Sequence, residues 1–117
     1  MLIDLNNKSF GKKNPQQSFY LLFSDINDDV AKDVCSWILS ENFSEPDERP
    51  EVLNLFISSG GGELHAGFSI IDVIRGSQIP VRTVAIGMVA SAGLMIAMSG
   101  TKGHRVMTEN CSIMSHS

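Results

Sequence analysis

Cysteine is nearly absent from this chain. There are two in 117 residues, Cys35 and Cys111, 76 positions apart. They set out neither a disulfide framework nor a metal-ligand spacing, and they fit a reducing cytoplasm, the compartment expected here. Charge is also sparse, and it is not basic. Charged residues make up 19% of the chain, and the formal net charge is -4. Without a basic stripe to displace counterions from phosphates, nucleic acid is not an expected partner. Long hydrophobic runs are missing too. The longest apolar stretch, Val84 to Met98, is cut by Gly87, Ser91 and Gly93 and falls short of the roughly twenty residues of a membrane span. The opening Met1-Leu2-Ile3-Asp4 puts an acid where a secretory leader needs an apolar run. No membrane association and no leader are therefore expected. No cluster of His, Cys and carboxylate has ligand spacing, so neither a metal nor a cofactor is expected.

What is present is a globular balance. Hydrophobic residues are 43% of the chain, well away from the composition of disordered segments. The length is that of one domain. Residues 1-18 read as a flexible arm rich in Asn, Lys, Gln and Ser, broken by Gly11 and Pro15. Residues 19-117 read as a single α/β domain. Phe19 to Phe23 is an apolar run that predicts a buried strand. Asn27-Asp28-Asp29 supplies cap oxygens and negative charge, and a helix is predicted from Asp28 to Glu41. Glu51 to Ile57 is nearly continuous in hydrophobicity, as a strand covered on both faces would be. After Ser58-Ser59-Gly60-Gly61-Gly62, helical spacing returns from Leu64 to Arg75 through Phe68, Ile71 and Ile74. A third strand is expected over Val81 to Ile86, punctuated by Gly87, and a buried helix over Ala90 to Ser99. His104 to Met107 and Cys111 to Ser115 are short strand candidates. Strand and helix alternate, which favours a mainly parallel sheet.

Three places carry residues suited to chemistry. Ser59-Gly60-Gly61-Gly62 lies between a strand and a helix, where glycines permit positive φ and close approach. Their amides are candidate donors to a developing negative charge. On its own such a run is more often a plain turn, and the Lys-Ser/Thr pair of a phosphate loop is missing. Gly87-Met88-Val89-Ala90-Ser91-Ala92-Gly93 sets a serine among small residues at a helix start. The following amide is free there, because the first turn's donors have no helical partners. The plain reading of Ser91 alone is a small helix-start residue. His116 follows Met114 at the end of an apolar strand, and a lone histidine is most often satisfied locally or exposed. His65 and His104 take that plain reading outright. Considered together, a glycine loop, a serine at a helix start and a histidine on a later strand are the parts of a Ser/His acyl-transfer site with a backbone oxyanion hole.

At these residues the sequence resembles the ClpP family of serine peptidases. The family's Ser-Pro-Gly-Gly run followed by Ala-Gly corresponds to Ser59-Gly60-Gly61-Gly62 with Ala66-Gly67. Its Gly-x-Ala-Ala-Ser-x-Gly run corresponds to Gly87 through Gly93, and its Met-x-His to Met114-Ser115-His116. Ile26 to Ala31 and the Lys102 to Arg105 turn have counterparts as well, so the likeness spans about residues 19-117. It implies a spiral of ββα units of the ClpP/crotonase type. It implies that Ser91 is the nucleophile, that His116 is its general base, and that the backbone amides of Gly61 and Ala92 hold the oxyanion. It further implies self-association into rings of seven, stacked in pairs. An AAA+ Clp ATPase would feed unfolded protein substrates to them, spending ATP that this chain does not itself bind. Gly60 stands where the family usually has Pro, which makes the loop less rigid. The orienting Asp and the ring-pairing helical segment would follow the His. Asp25, Asp28, Asp29, Asp33 and Asp72 match no family position for that role. A sequence that stops on the expected catalytic strand is read as part of a longer chain.

Two other functions fit parts of the pattern. A ring or scaffold subunit would keep the fold without the catalytic Asp. A crotonase-like acyl-CoA enzyme would use the backbone amides on a thioester enolate, with no need of Ser91 and His116.

Overall fold

The computed structural model describes residues 17-114. His116, the expected base, and residues 1-16 of the expected arm lie outside them. Among the described residues five strands and three α-helices follow in order, alternating up to β4: β1 (Gln17–Leu22), α1 (Asp28–Asn42), β2 (Val52–Ser59), α2 (Leu64–Gly76), β3 (Val81–Ala90), α3 (Ala92–Met98), β4 (Arg105–Met107) and β5 (Ser112–Met114). All pairings are parallel, in the order β1-β2-β3-β4, with β5 also on β3. This is the α/β class expected from the alternation. A monotonic order of parallel strands joined by right-handed crossovers stacks the helices on one face. Alternate residues of the strands turn towards that face. Leu53, Leu55 and Ile57 of β2 and Val81 and Ala85 of β3 are buried with Val34 and Ile38 of α1, Ile70 and Ile74 of α2 and Ile96 of α3. Each such Val, Leu or Ile side chain contributes about 1.5–3 kcal/mol by leaving water.

The helix starts are set by capping chemistry. The Asn27 side chain accepts from the Val30 amide at 2.9 Å, and Asp28 and Asp29 place negative charge in the first turn of α1. Glu63 does the same for α2, accepting from the Ala66 amide at 2.8 Å and the His65 amide at 3.2 Å. On the helix-facing side, β1 is pinned to α1. Tyr20 donates to Asp33 at 2.6 Å, and the Trp37 indole donates to Ser18 Oγ, which itself donates to Glu41. Burial, reinforced by the Asp33 carboxylate, pushes the Tyr20 hydroxyl up to about 12.

Three expectations are corrected. The Phe19 to Phe23 run is not a buried strand: Phe19, Leu21 and Phe23 are 62%, 56% and 53% exposed. β1 pairs only with β2 among the described residues, and the helices cover only one of its faces. The strand also begins at Gln17, inside the expected arm. Third, Gly87 does not end β3. The strand continues to Ala90 through a bulge in which residues 57 to 59 of β2 face residues 85 to 89 of β3, with Gly87 at φ 72°. α3 therefore starts at Ala92, two residues later than expected. None of the helices among the described residues is long and apolar enough to cross a membrane.

Candidate active site

The extra length of β3 carries the chain to Ser91, the cap position of α3. The two earlier helices are capped by side chains, and Ser91 is not: its hydroxyl makes no cap bond to α3. Ser91 does start α3, as the plain reading has it, but its side chain does not cap the helix. Its backbone has φ 53° and ψ -128°, and it is the one non-glycine with positive φ among the described residues. Residues with a Cβ avoid this region, and such strain collects at functional sites because the surroundings must enforce it. A sharp strand-to-helix turn that presents a half-buried serine is the geometry of a nucleophile elbow. The amide of Ala92, at the first position of α3, has no acceptor within its helix.

The glycine turn after β2 lies directly against this elbow. A Cβ on Gly61 would sit 2.7 Å from Ser91 Cβ and 3.1 Å from its Oγ, and Gly61 itself has φ 106°. Only glycine fits here, on grounds of both space and backbone. The two halves approach because Gly93 leaves room for them: a Cβ there would be 2.6 Å from the Ser59 carbonyl oxygen. The turn is further held to the loop before α1, where the Ile26 amide donates to the Gly61 carbonyl at 2.9 Å and the Glu63 amide to the Ile26 carbonyl at 2.8 Å.

The turn's own amides differ. Gly61 is buried, and its N–H donates to Ser59 Oγ at 3.1 Å. Gly62 is exposed, and its N–H donates to no acceptor among the described residues. Composition and spacing gave no part to Ser59. The local signal was a hydroxyl two residues before a glycine, the pattern of a side-chain-closed turn.

β5 runs beside the same end of β3. Met88 faces Ser112, Val89 faces Ile113 and Ala90 faces Met114, so the final strand is directed alongside the residues that lead into Ser91. The other candidate groups are engaged elsewhere. His65 is 88% exposed and pairs with Glu63 at 3.6 Å. His104 sits on its own turn with Nδ1 3.4 Å from the Lys102 carbonyl. Burial, and then the charge of Asp72, pushes the Cys35 thiol up, and burial does the same for Cys111. Neither thiol is poised as a thiolate nucleophile.

Comparison with known proteins gives a family and related structures. Residues 12-117 match the model of the family described as Clp protease. The ATP-dependent Clp protease proteolytic subunit of Leuconostoc citreum (strain KM20) is 34% identical over 96 residues, covering 82% of this chain and 46% of that protein. A solved structure of a ClpP1 point mutant from Listeria monocytogenes superposes with a TM-score of 0.73 at 32% identity, covering 86% of this chain and 56% of that one. The chain thus spans about half the length of the relatives it matches.

Proposed function

The chain belongs to the Clp protease family, and from that premise we propose that it supplies the nucleophile-bearing part of a serine endopeptidase subunit. The observation that carries this reading is Ser91: a strained backbone, a hydroxyl that caps no helix, and a glycine turn in contact with its side chain.

In the proposed reaction Ser91 Oγ attacks the carbonyl carbon of a peptide bond while His116 takes the hydroxyl proton. The carbonyl oxygen becomes a tetrahedral oxyanion held by backbone N–H groups. The carbon–nitrogen bond then breaks as His116 returns the proton to the departing amine, and water releases the acyl group from Ser91. Ala92 supplies one N–H from the first turn of α3. The glycine turn supplies the other. Gly61, expected from the sequence, serves only if its amide leaves Ser59 Oγ, whereas Gly62 has an open amide; the reading therefore places the oxyanion between Ala92 and Gly62. Loss of one such donor costs about a hundredfold to a thousandfold in turnover. No metal or cofactor is assigned to this chain.

The wider reading follows the family. Self-association into rings of seven, paired into a chamber, would enclose the site, and an AAA+ Clp ATPase would deliver unfolded polypeptides to it in the cytoplasm. The exposed apolar row of Phe19 and Leu21 on β1, with Phe23 just after it, supports a surface that packs against other copies. A scaffold role or acyl-CoA chemistry would give no reason to maintain strain at Ser91.

The test is active-site labelling. A fluorophosphonate is expected to modify Ser91, identified by peptide mass, and Ser91→Ala is expected to abolish the adduct. Absence of any adduct on the wild-type chain, with an intact relative labelled in parallel, would sink the peptidase reading.

A further inference from the structure

Resting on the peptidase reading, we propose that Ser59 is a positioning residue whose hydroxyl sets the glycine turn for oxyanion binding. Ser59 occupies a junction. Its main chain ends β2 opposite Val89 of β3, and its carbonyl and Cβ lie against Gly93 in the first turn of α3. It is 3% exposed, and its Oγ accepts the Gly61 N–H at 3.1 Å. One serine thus touches both structures that carry the proposed oxyanion donors: the helix start with Ala92 and the turn with Gly61 and Gly62.

The bond fixes the plane of the Gly60–Gly61 peptide. Because Gly61 follows at φ 106° against Ser91, fixing that plane also restricts the next peptide, which carries the open Gly62 amide. Three consecutive glycines give this turn little rigidity of its own. Gly60 stands where the resembling family usually has Pro, so no pyrrolidine ring restrains the turn. The Ser59 hydroxyl restrains the Gly60–Gly61 peptide, and the Ile26 amide, donating to the Gly61 carbonyl, holds the peptide that follows. Preorganised donors are effective because they need no reorientation as charge develops, and a turn released from Ser59 would lose that advantage without losing any donor.

Proline at position 60 should then substitute for the hydroxyl. Gly60 is not among the residues with positive φ, and a Cβ there meets only the end of the Met88 side chain at 3.6 Å. The preceding Ser59 is in extended conformation, as a residue before proline should be.

The experiment compares phosphonylation of Ser91 by a fluorophosphonate in the wild type, Ser59→Ala, Gly60→Pro and the double variant. The same four proteins are assayed for kcat and KM on a short peptide ester. Ser59→Ala is expected to slow phosphonylation and kcat roughly tenfold, short of the hundredfold for a whole oxyanion donor, with KM little changed. The double variant is expected to recover most of the loss. Full-speed phosphonylation in Ser59→Ala overturns the role of Ser59 and leaves the peptidase reading standing. So does a slowed but folded Ser59→Ala that Gly60→Pro does not rescue. A wild type that takes no label removes the peptidase reading, and this role with it. If Ser59→Ala does not fold, amide exchange in the wild type decides: a protected Gly61 N–H supports the bond, and exchange at the rate of an open loop overturns it.

Discussion

Ser91 holds a backbone conformation that its own Cβ disfavours, at φ 53° and ψ -128°. Strain of this kind costs on the order of 1–3 kcal/mol, and the rest of the fold must offset it. Replacing Ser91 by Gly removes the Cβ and the conflict, whereas replacing it by Ala removes the hydroxyl and keeps the conflict. Ser91→Gly is therefore expected to melt a few degrees above Ser91→Ala, by calorimetry on two equally inactive proteins. Equal melting temperatures would mean that the conformation carries no cost. The site was partly legible at this scale. Small residues around Ser91 and glycines after β2 mark places where the backbone comes close, and the structure brings those two places into contact. Which amide of the turn stays open was not legible. It depends on a single hydroxyl bond, from Gly61 to Ser59, that spacing alone does not reveal.

Among the elements, α2 shows how one carboxylate sets a helix start. The Ala66 amide and then the His65 amide bond the Glu63 side chain and hold its carboxyl below the ordinary carboxylate range. A carboxyl lowered in the folded state stabilises the fold when ionised. That contribution is full at neutral pH and fades as pH falls through the ordinary range to the lowered folded value. Glu63→Gln keeps an acceptor oxygen and loses the charge. The wild type is expected to melt above Glu63→Gln at pH 7, and the gap to narrow as pH falls through and below the ordinary carboxylate range, in thermal melts monitored by circular dichroism. The elements themselves could be read from the sequence wherever the signal was local: Asn27 marks the start of α1, and the periodicity of residues 64-75 marks α2. Gly87 misled because a glycine ends a strand only if pairing does not carry the strand onward. Here β2 and β5 both pair with β3 beyond it. The burial of β1 was misjudged for a similar reason, since strand order across a sheet is not encoded within any one strand.

At the scale of the whole molecule, the fold sorts its duties by position. The helices and the helix-facing side of the sheet form the core. The site gathers where β2 and β3 end, as is usual for open parallel sheets. β1 lies at the margin, with unpaired backbone on its outer side among the described residues and two large apolar side chains, Phe19 and Leu21, in water. An edge of this kind is a template for misassembly when proteins crowd or warm. Natural edges are commonly guarded by a lysine, and Leu21, at 56% exposure, is where β1 lacks one. Turbidity on slow heating should develop later, and at higher protein concentration, for Leu21→Lys than for the wild type. A gatekeeper charge at that one position would keep the molecule clear in the tube.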